Sequence, residues 1–252
     1  MRPDKSHSKP VKPSKLFNLY EEYPSGRRLS ETVDDFLSRL PPSSGKLEDC
    51  GPWIFVSNPT YDPHATREDI RGVKEEGNKL LEDFENERTS IEDKMSEKTK
   101  NAIGRKIGPL RTQLASNIYA MGRKKGVTAG KWMLFLPEKD VDRVWRQVVE
   151  ATIQGDLGHA AKVASNDGSG ESRSRLICVY NEDWEDKMSV KKVVGHLHRL
   201  GLVNREGMYG REQGIYYKAD ILTWLDIMSG NRWGLKPSLY ASKDVLKEGW
   251  ET

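Results

Sequence analysis

Apolar residues recur with two different periods along the chain, and the alternation between them is clearest from Gly130 onward. Lys131–Leu136 is a compact run of strand formers closed by Pro137. In residues 138–154, Val141, Val144, Trp145, Val148 and Val149 repeat at i, i+3, i+4, i+7 and i+8, the stripe of an amphipathic helix. Ala160–Ala164 and Arg175–Tyr180 read as two further strands around the loop at 166–170. Residues 189–200 present Val190, Val193, Val194, Leu197 and Leu200 on one helical face, and Gly201 supplies the stop. Ile215–Lys218 is a strand, and Leu222 to Tyr240 reads as two strands around Ser229-Gly230-Asn231.

The first half is less regular. Ser30–Leu37 has a capping serine and acids in its first turn, so it predicts a short helix stopped by Pro41-Pro42. Pro52–Ser57 is a short strand ended by Asn58-Pro59. A thinly apolar helix carrying Ile70, Val73, Leu80, Leu81 and Phe84 follows, with Thr66 as its cap and fraying beyond about residue 88. Ile103, Ile107, Leu110, Leu114, Ile118 and Met121 give a better stripe, which Pro109 should bend or delay. Strands in hairpins interleaved with long helices predict an α+β domain, helices packed on one face of an antiparallel sheet.

Charge refines the domain plan. Residues 1–28 hold seven Lys/Arg, three acids and prolines at positions 3, 10, 13 and 24, which reads as a disordered basic tail ahead of a single domain over 29–252. Residues 67–100, with 8 basic and 11 acidic side chains, read as a charged helical insertion. The next 32 residues carry seven cations and no acid, a pattern that suits an anionic ligand or a solvated face. No apolar run reaches the roughly 20 residues of a membrane span, and residues 1–17 lack the apolar segment of a secretion signal. Two cysteines, Cys50 and Cys178, stand at no metal-ligand spacing. A cytoplasmic protein, also compatible with the nucleus, without metal or cofactor, is the expectation.

No phosphate-binding Gly-rich loop, nucleophile elbow or metalloprotease helix occurs, so no catalytic residue is assigned. What recurs is aromatic beside basic: Lys131-Trp132, Lys162, Tyr217-Lys218 and Arg232-Trp233. Rings stack on bases while Lys and Arg take phosphates, so these residues are the candidate ligand-binding set. Strand alternation sends Lys131 and Trp132 to opposite faces, Trp132 to the core. Trp53 offers a further stacking ring or a core anchor.

Motif order carries a resemblance. Gly130-Lys131-Trp132, Asp140–Trp145, Ala161-Lys162-Val163, Ile177–Tyr180 and Arg199–Leu202 run in the order found in the mRNA cap-binding translation initiation factor. With Tyr217-Lys218-x-Asp220 and Asn231–Leu235, the chain more closely resembles the basophilic leukemia-expressed protein family, a domain of unknown function. The resemblance implies a curved antiparallel sheet backed by helices. The initiation factor's base-reading Trp-Glu pair has no counterpart in Ala120–Gly126, and Tyr180 replaces its next Trp, so ordinary methylguanosine-cap binding is not implied. The expected function is non-catalytic RNA or nucleotide binding on the concave sheet face. The alternatives are a protein partner docked on the helical face around Trp145 or on residues 67–100, and an enzyme for a phosphorylated small molecule using Asp220 or His159.

Overall fold

A computed structural model of the chain describes residues 15–63, 68–95, 99–168, 174–203 and 214–250. Six strands, β1 (Trp53–Ser57), β2 (Gly130–Leu136), β3 (Ala160–Ala164), β4 (Arg175–Asn181), β5 (Tyr216–Ala219) and β6 (Tyr240–Ala241), form one open sheet in the order β1-β3-β4-β2-β5-β6. Every pairing between them is antiparallel. With the helices behind it, this is the α+β architecture expected.

One face of the sheet is the core. Trp132, Leu134, Leu136, Ile177, Val179, Val163, Ile54 and Val56 alternate inward along their strands and are shut off from solvent. Helix α5 (Glu138–Ile153) lies on them with its whole valine-and-tryptophan stripe buried. Each such valine contributes about 1.5–3 kcal/mol by burial. Helix α6 (Lys187–Arg199) buries Val190, Val193, Val194 and Leu197, and the Trp132 indole donates to the Val190 carbonyl at 3.2 Å. Trp145 is fully buried, so it presents no docking face to a partner.

Helix α1 (Val33–Arg39) packs on α5, and helix α2 (Leu47–Cys50) on β1. The charged segment forms α3 (Ile70–Lys94), which extends beyond residue 88 and is capped by Asp69, whose side chain accepts from the Gly72 amide. The expected cap, Thr66, lies outside the described residues. Helix α4 (Lys100–Lys124) starts at its Thr99 cap and runs through Pro109. Proline there removes one donor, but packing of Ile107, Leu114, Ile118 and Met121 holds the turns on either side. The stretch from Leu222 to Tyr240, expected as two strands, is instead the end of a short helix α7 (Asp220–Trp224), an irregular run and the two-residue β6; helix α8 (Ser242–Val245) follows. None of the helices described is long and apolar enough to cross a membrane.

The tail also departs from expectation. Residues 1–14 lie outside the described part, but residues 15–28 are an arm packed along the free edge of β1. The Phe55 amide donates to the Ser25 carbonyl at 2.9 Å, and the Arg27 amide donates to Phe55 at 3.0 Å. Ser57 donates through its hydroxyl to Asn18 at 2.8 Å, and the Arg39 guanidinium reaches the Pro24 and Gly26 carbonyls at 2.8 Å as well as Glu31. Pairing at Phe55 satisfies that residue's edge groups, and an arm lying there obstructs further strand addition.

Candidate functional site: the lysine face

The register defines what the other face of the sheet carries. Lys131 stands opposite Tyr180 on β4 and opposite Lys218 on β5, while Lys162 stands opposite Cys178 on β4 and Phe55 on β1. Strand alternation then puts Lys131, Lys162 and Lys218 on one side with Trp53, Phe55, Phe135, Tyr180 and Tyr216. Those five rings are all partly exposed. Three of the cations read from sequence are therefore brought together, beside a broad aromatic surface.

Their environments differ sharply. Lys131 is 6% exposed; its ammonium pairs with Asp220 and donates to the Thr223 hydroxyl at 2.9 Å, both on α7. Lys218 is 5% exposed and donates to the Ile227 carbonyl at 2.8 Å, with the Met228 sulfur at 3.2 Å. Burial lowers the Lys218 pKa, and the Lys131 charge beside it acts in the same direction. Both ammoniums are thus engaged by the segment that follows β5.

Lys162 is the exception. Its ammonium lies 4.0 Å from the centre of the Trp53 ring and 5.7 Å from that of Tyr180, and has no hydrogen-bond or ion-pair partner among the described residues. Tyr180 is the hub, because Lys131 also sits over it at 5.5 Å. Burial lowers the Lys162 pKa; Cys178 and Asp220 oppose that, and Lys131 adds to it. A cation between two π faces is stabilised by their quadrupoles, by about 0.5–2 kcal/mol each. It keeps its hydrogen-bonding capacity for an anion. Cys178, directly below, is 1% exposed and burial pushes its thiol up to about 11, so it is inert packing.

Three of the expected residues do not join this set. Tyr217 is fully buried on the core side, edge-on to Trp132 at 5.3 Å, because its neighbour Lys218 faces the other way. Gly130 makes room for it: a Cβ there would lie 2.5 Å from the Tyr217 phenol oxygen. Tyr216, one position earlier, is the ring that shares the lysine face. Arg232 is exposed and paired with Glu85 of α3 at 2.6 Å. Trp233 packs half-buried against the core, and its carbonyl accepts from Arg111 of α4 at 3.0 Å. Trp53 is half-buried with its ring under Lys162, a position compatible with stacking.

The acid-free stretch before β2 is partly neutralised in space. Arg123 pairs with Asp183 and Glu185, and Lys125 with Asp69 and Glu76. Asp220, considered above as an acid or base, is the counter-ion of Lys131. Among the described residues no group of three His, Cys, Asp or Glu is placed to hold a metal.

Sequence reading missed one more contributor. Tyr20 of the arm stacks on Phe55 at 4.6 Å, which places its ring on the lysine face. Burial, followed by the charge of Asp220, raises its pKa to about 12, so the phenol is a neutral donor. Nothing in the tail's composition singled it out, since its order comes from the β1 edge it pairs with. Residues 1–226, a span that takes in this arm, all of β1 to β5 and Asp220, match the family model described as basophilic leukemia-expressed protein Bles03, and the chain belongs to that family.

Proposed function

We propose that the protein binds RNA or a nucleotide, without catalysing a reaction on it, through the lysine face. The observation that carries this reading is the Lys162 ammonium, half-buried between two aromatic rings and uncommitted to any carboxylate. A phosphate oxygen placed over it completes a charge-assisted hydrogen bond. The partly exposed rings of Trp53 and Tyr216, with Tyr20 stacked over Phe55, supply surfaces for a base, each stacked base being worth about 1–3 kcal/mol. Lys131 and Lys218 add positive potential from behind, while their hydrogen bonds stay internal. Ala120–Gly126 forms the end of α4 and its turn, with no ring or acid to read a methylated guanine, so an unmodified nucleotide is the better fit.

Few phosphates can be neutralised here. For single strands, log K falls with log salt by about 0.7 per phosphate contacted, so three lysines predict a slope no steeper than about −2. Fluorescence anisotropy with a short labelled oligouridylate measures it. Lys162→Met is expected to weaken binding by about tenfold, with thermal unfolding unchanged. Affinity is also expected to fall as pH rises through the lowered pKa of Lys162, earlier than for an ordinary lysine at 10.5. Unchanged affinity in Lys162→Met, or a slope far steeper than −2, would place binding elsewhere on the protein.

A further inference from the structure

The Asn231–Leu235 segment, which carries Arg232 and Trp233, has a structural role that the lysine face leaves unused. Asn231 donates to the Met228 and Leu235 carbonyls at 2.8 and 2.7 Å and accepts from the Leu235 amide at 3.0 Å. This folds the segment into a rigid wall facing α4. Gly234 takes a positive φ of 67°, and a Cβ there would lie 2.8–3.1 Å from the Arg111 guanidinium. Glycine at this point lets Arg111 lie flat against the wall, donating through Nε to the Trp233 carbonyl.

Between wall and helix is a cavity of about 490 Å³, a volume in the range of small-molecule sites. Ala115, Tyr119 and Leu239 offer it partly exposed apolar surface, with the nearly buried Leu222 and Leu235 completing the walls, and Arg111 and Lys236 are the only charged lining residues among those described. Neither cation has a carboxylate partner among the described residues, whereas Arg123, further along the same helix, and Lys125 at its C-cap have two each. Water against apolar walls makes few hydrogen bonds, and its replacement by hydrocarbon is favourable. We propose that this cavity is a binding site for a small monocarboxylate with an apolar body, the chain or ring against the leucines and the carboxylate on Arg111 and Lys236.

Calorimetric titration of the full chain with decanoate, and with nonyltrimethylammonium as the cation of equal tail, tests this. Decanoate is expected to bind saturably at one site, at least about tenfold tighter than the cation. Lys236→Met, which disturbs no internal hydrogen bond, is expected to lower decanoate affinity severalfold, and Ala115→Phe, which fills the cavity from α4, to abolish binding. Lys162→Met should leave decanoate binding unchanged, which separates this site from the lysine face. Equal affinity for the two amphiphiles, no saturable binding, or full binding by a folded Ala115→Phe variant would overturn the proposal.

Discussion

Asp220→Ala is expected to destabilise the protein by about 3–5 kcal/mol, the cost of leaving a buried charge without its partner. Lys131 cannot escape to water, being 6% exposed in the middle of the sheet, and the Thr223 hydroxyl alone does not neutralise it. The wider arrangement raises the stake. Lys131 and Lys218 stand directly opposite each other on β2 and β5, a like-charge pair that is unfavourable by itself. The Asp220 charge acts on both Lys218 and Lys162 in the sense that favours their protonated forms. One carboxylate therefore acts on all three lysines, pairing with Lys131 and favouring the charged forms of the other two, with Asp226 adding to its effect on Lys218. Replacing both members of the pair, Lys131→Met with Asp220→Ala, removes the orphaned charge and is expected to recover most of the loss. Urea unfolding of the two single variants and the double gives the coupling directly. Coupling near zero would mean that Lys131 is solvated and that Asp220 is not its counter-ion. Because Lys131 and Asp220 form a neutral internal pair, the double variant should also bind oligouridylate nearly as well as the parent, in contrast to Lys162→Met.

Much of this arrangement follows from local rules, and the misses have identifiable physical causes. Alternation alone sent Trp132 to the core and Lys131 to the other face, as it must when each residue reverses side. The α5 stripe was complete in sequence because a helix facing one sheet needs only its own period. Alternation applied equally to Lys218 excludes Tyr217 from the lysine face and selects Tyr216; the adjacency of Tyr217 and Lys218 obscured that. Register is different in kind. That Lys162 faces Cys178 and that Tyr180 lies beneath two lysines depends on how separate strands align, which no single segment encodes. The arm's polar, proline-rich composition by itself predicts disorder. Its order comes from long-range bonds to β1 and from Arg39, fifteen residues beyond the carbonyl of Pro24 that it holds. For Arg232 and Trp233, a cation beside an indole is the same sequence signature whether it serves a ligand or, as here, a salt bridge to Glu85 and a wall of the fold.

Acidification from pH 6.5 to 4 is expected to cost up to about 3 kcal/mol of stability through one histidine. His159 precedes β3, its ring 4.9 Å from Tyr61 and 6.0 Å from Tyr180, and its Nδ1 is buried without a hydrogen-bond partner. Burial lowers its pKa from 6.5 to about 4. The unfolded chain therefore takes up a proton at this residue near pH 6.5, while the folded protein does not until about pH 4. Between those values the unfolded state binds more protons, so stability falls as pH falls; above 6.5 the histidine contributes no pH dependence, and below 4 the loss is complete. Glu182, which lines the same recess, works in the opposite sense. Burial raises its pKa, so the folded state protonates first and gains stability on acidification. Comparing the parent with His159→Gln cancels this and every other carboxylate. The variant is expected to lose the histidine's share of the slope, so that its urea midpoint rises relative to the parent as pH falls from 6.5 to 4 and stays parallel to it above 6.5. Identical acid slopes in the two proteins would mean that His159 is protonated in the fold, which would put a third positive charge beside the Tyr180 ring already shared by Lys131 and Lys162.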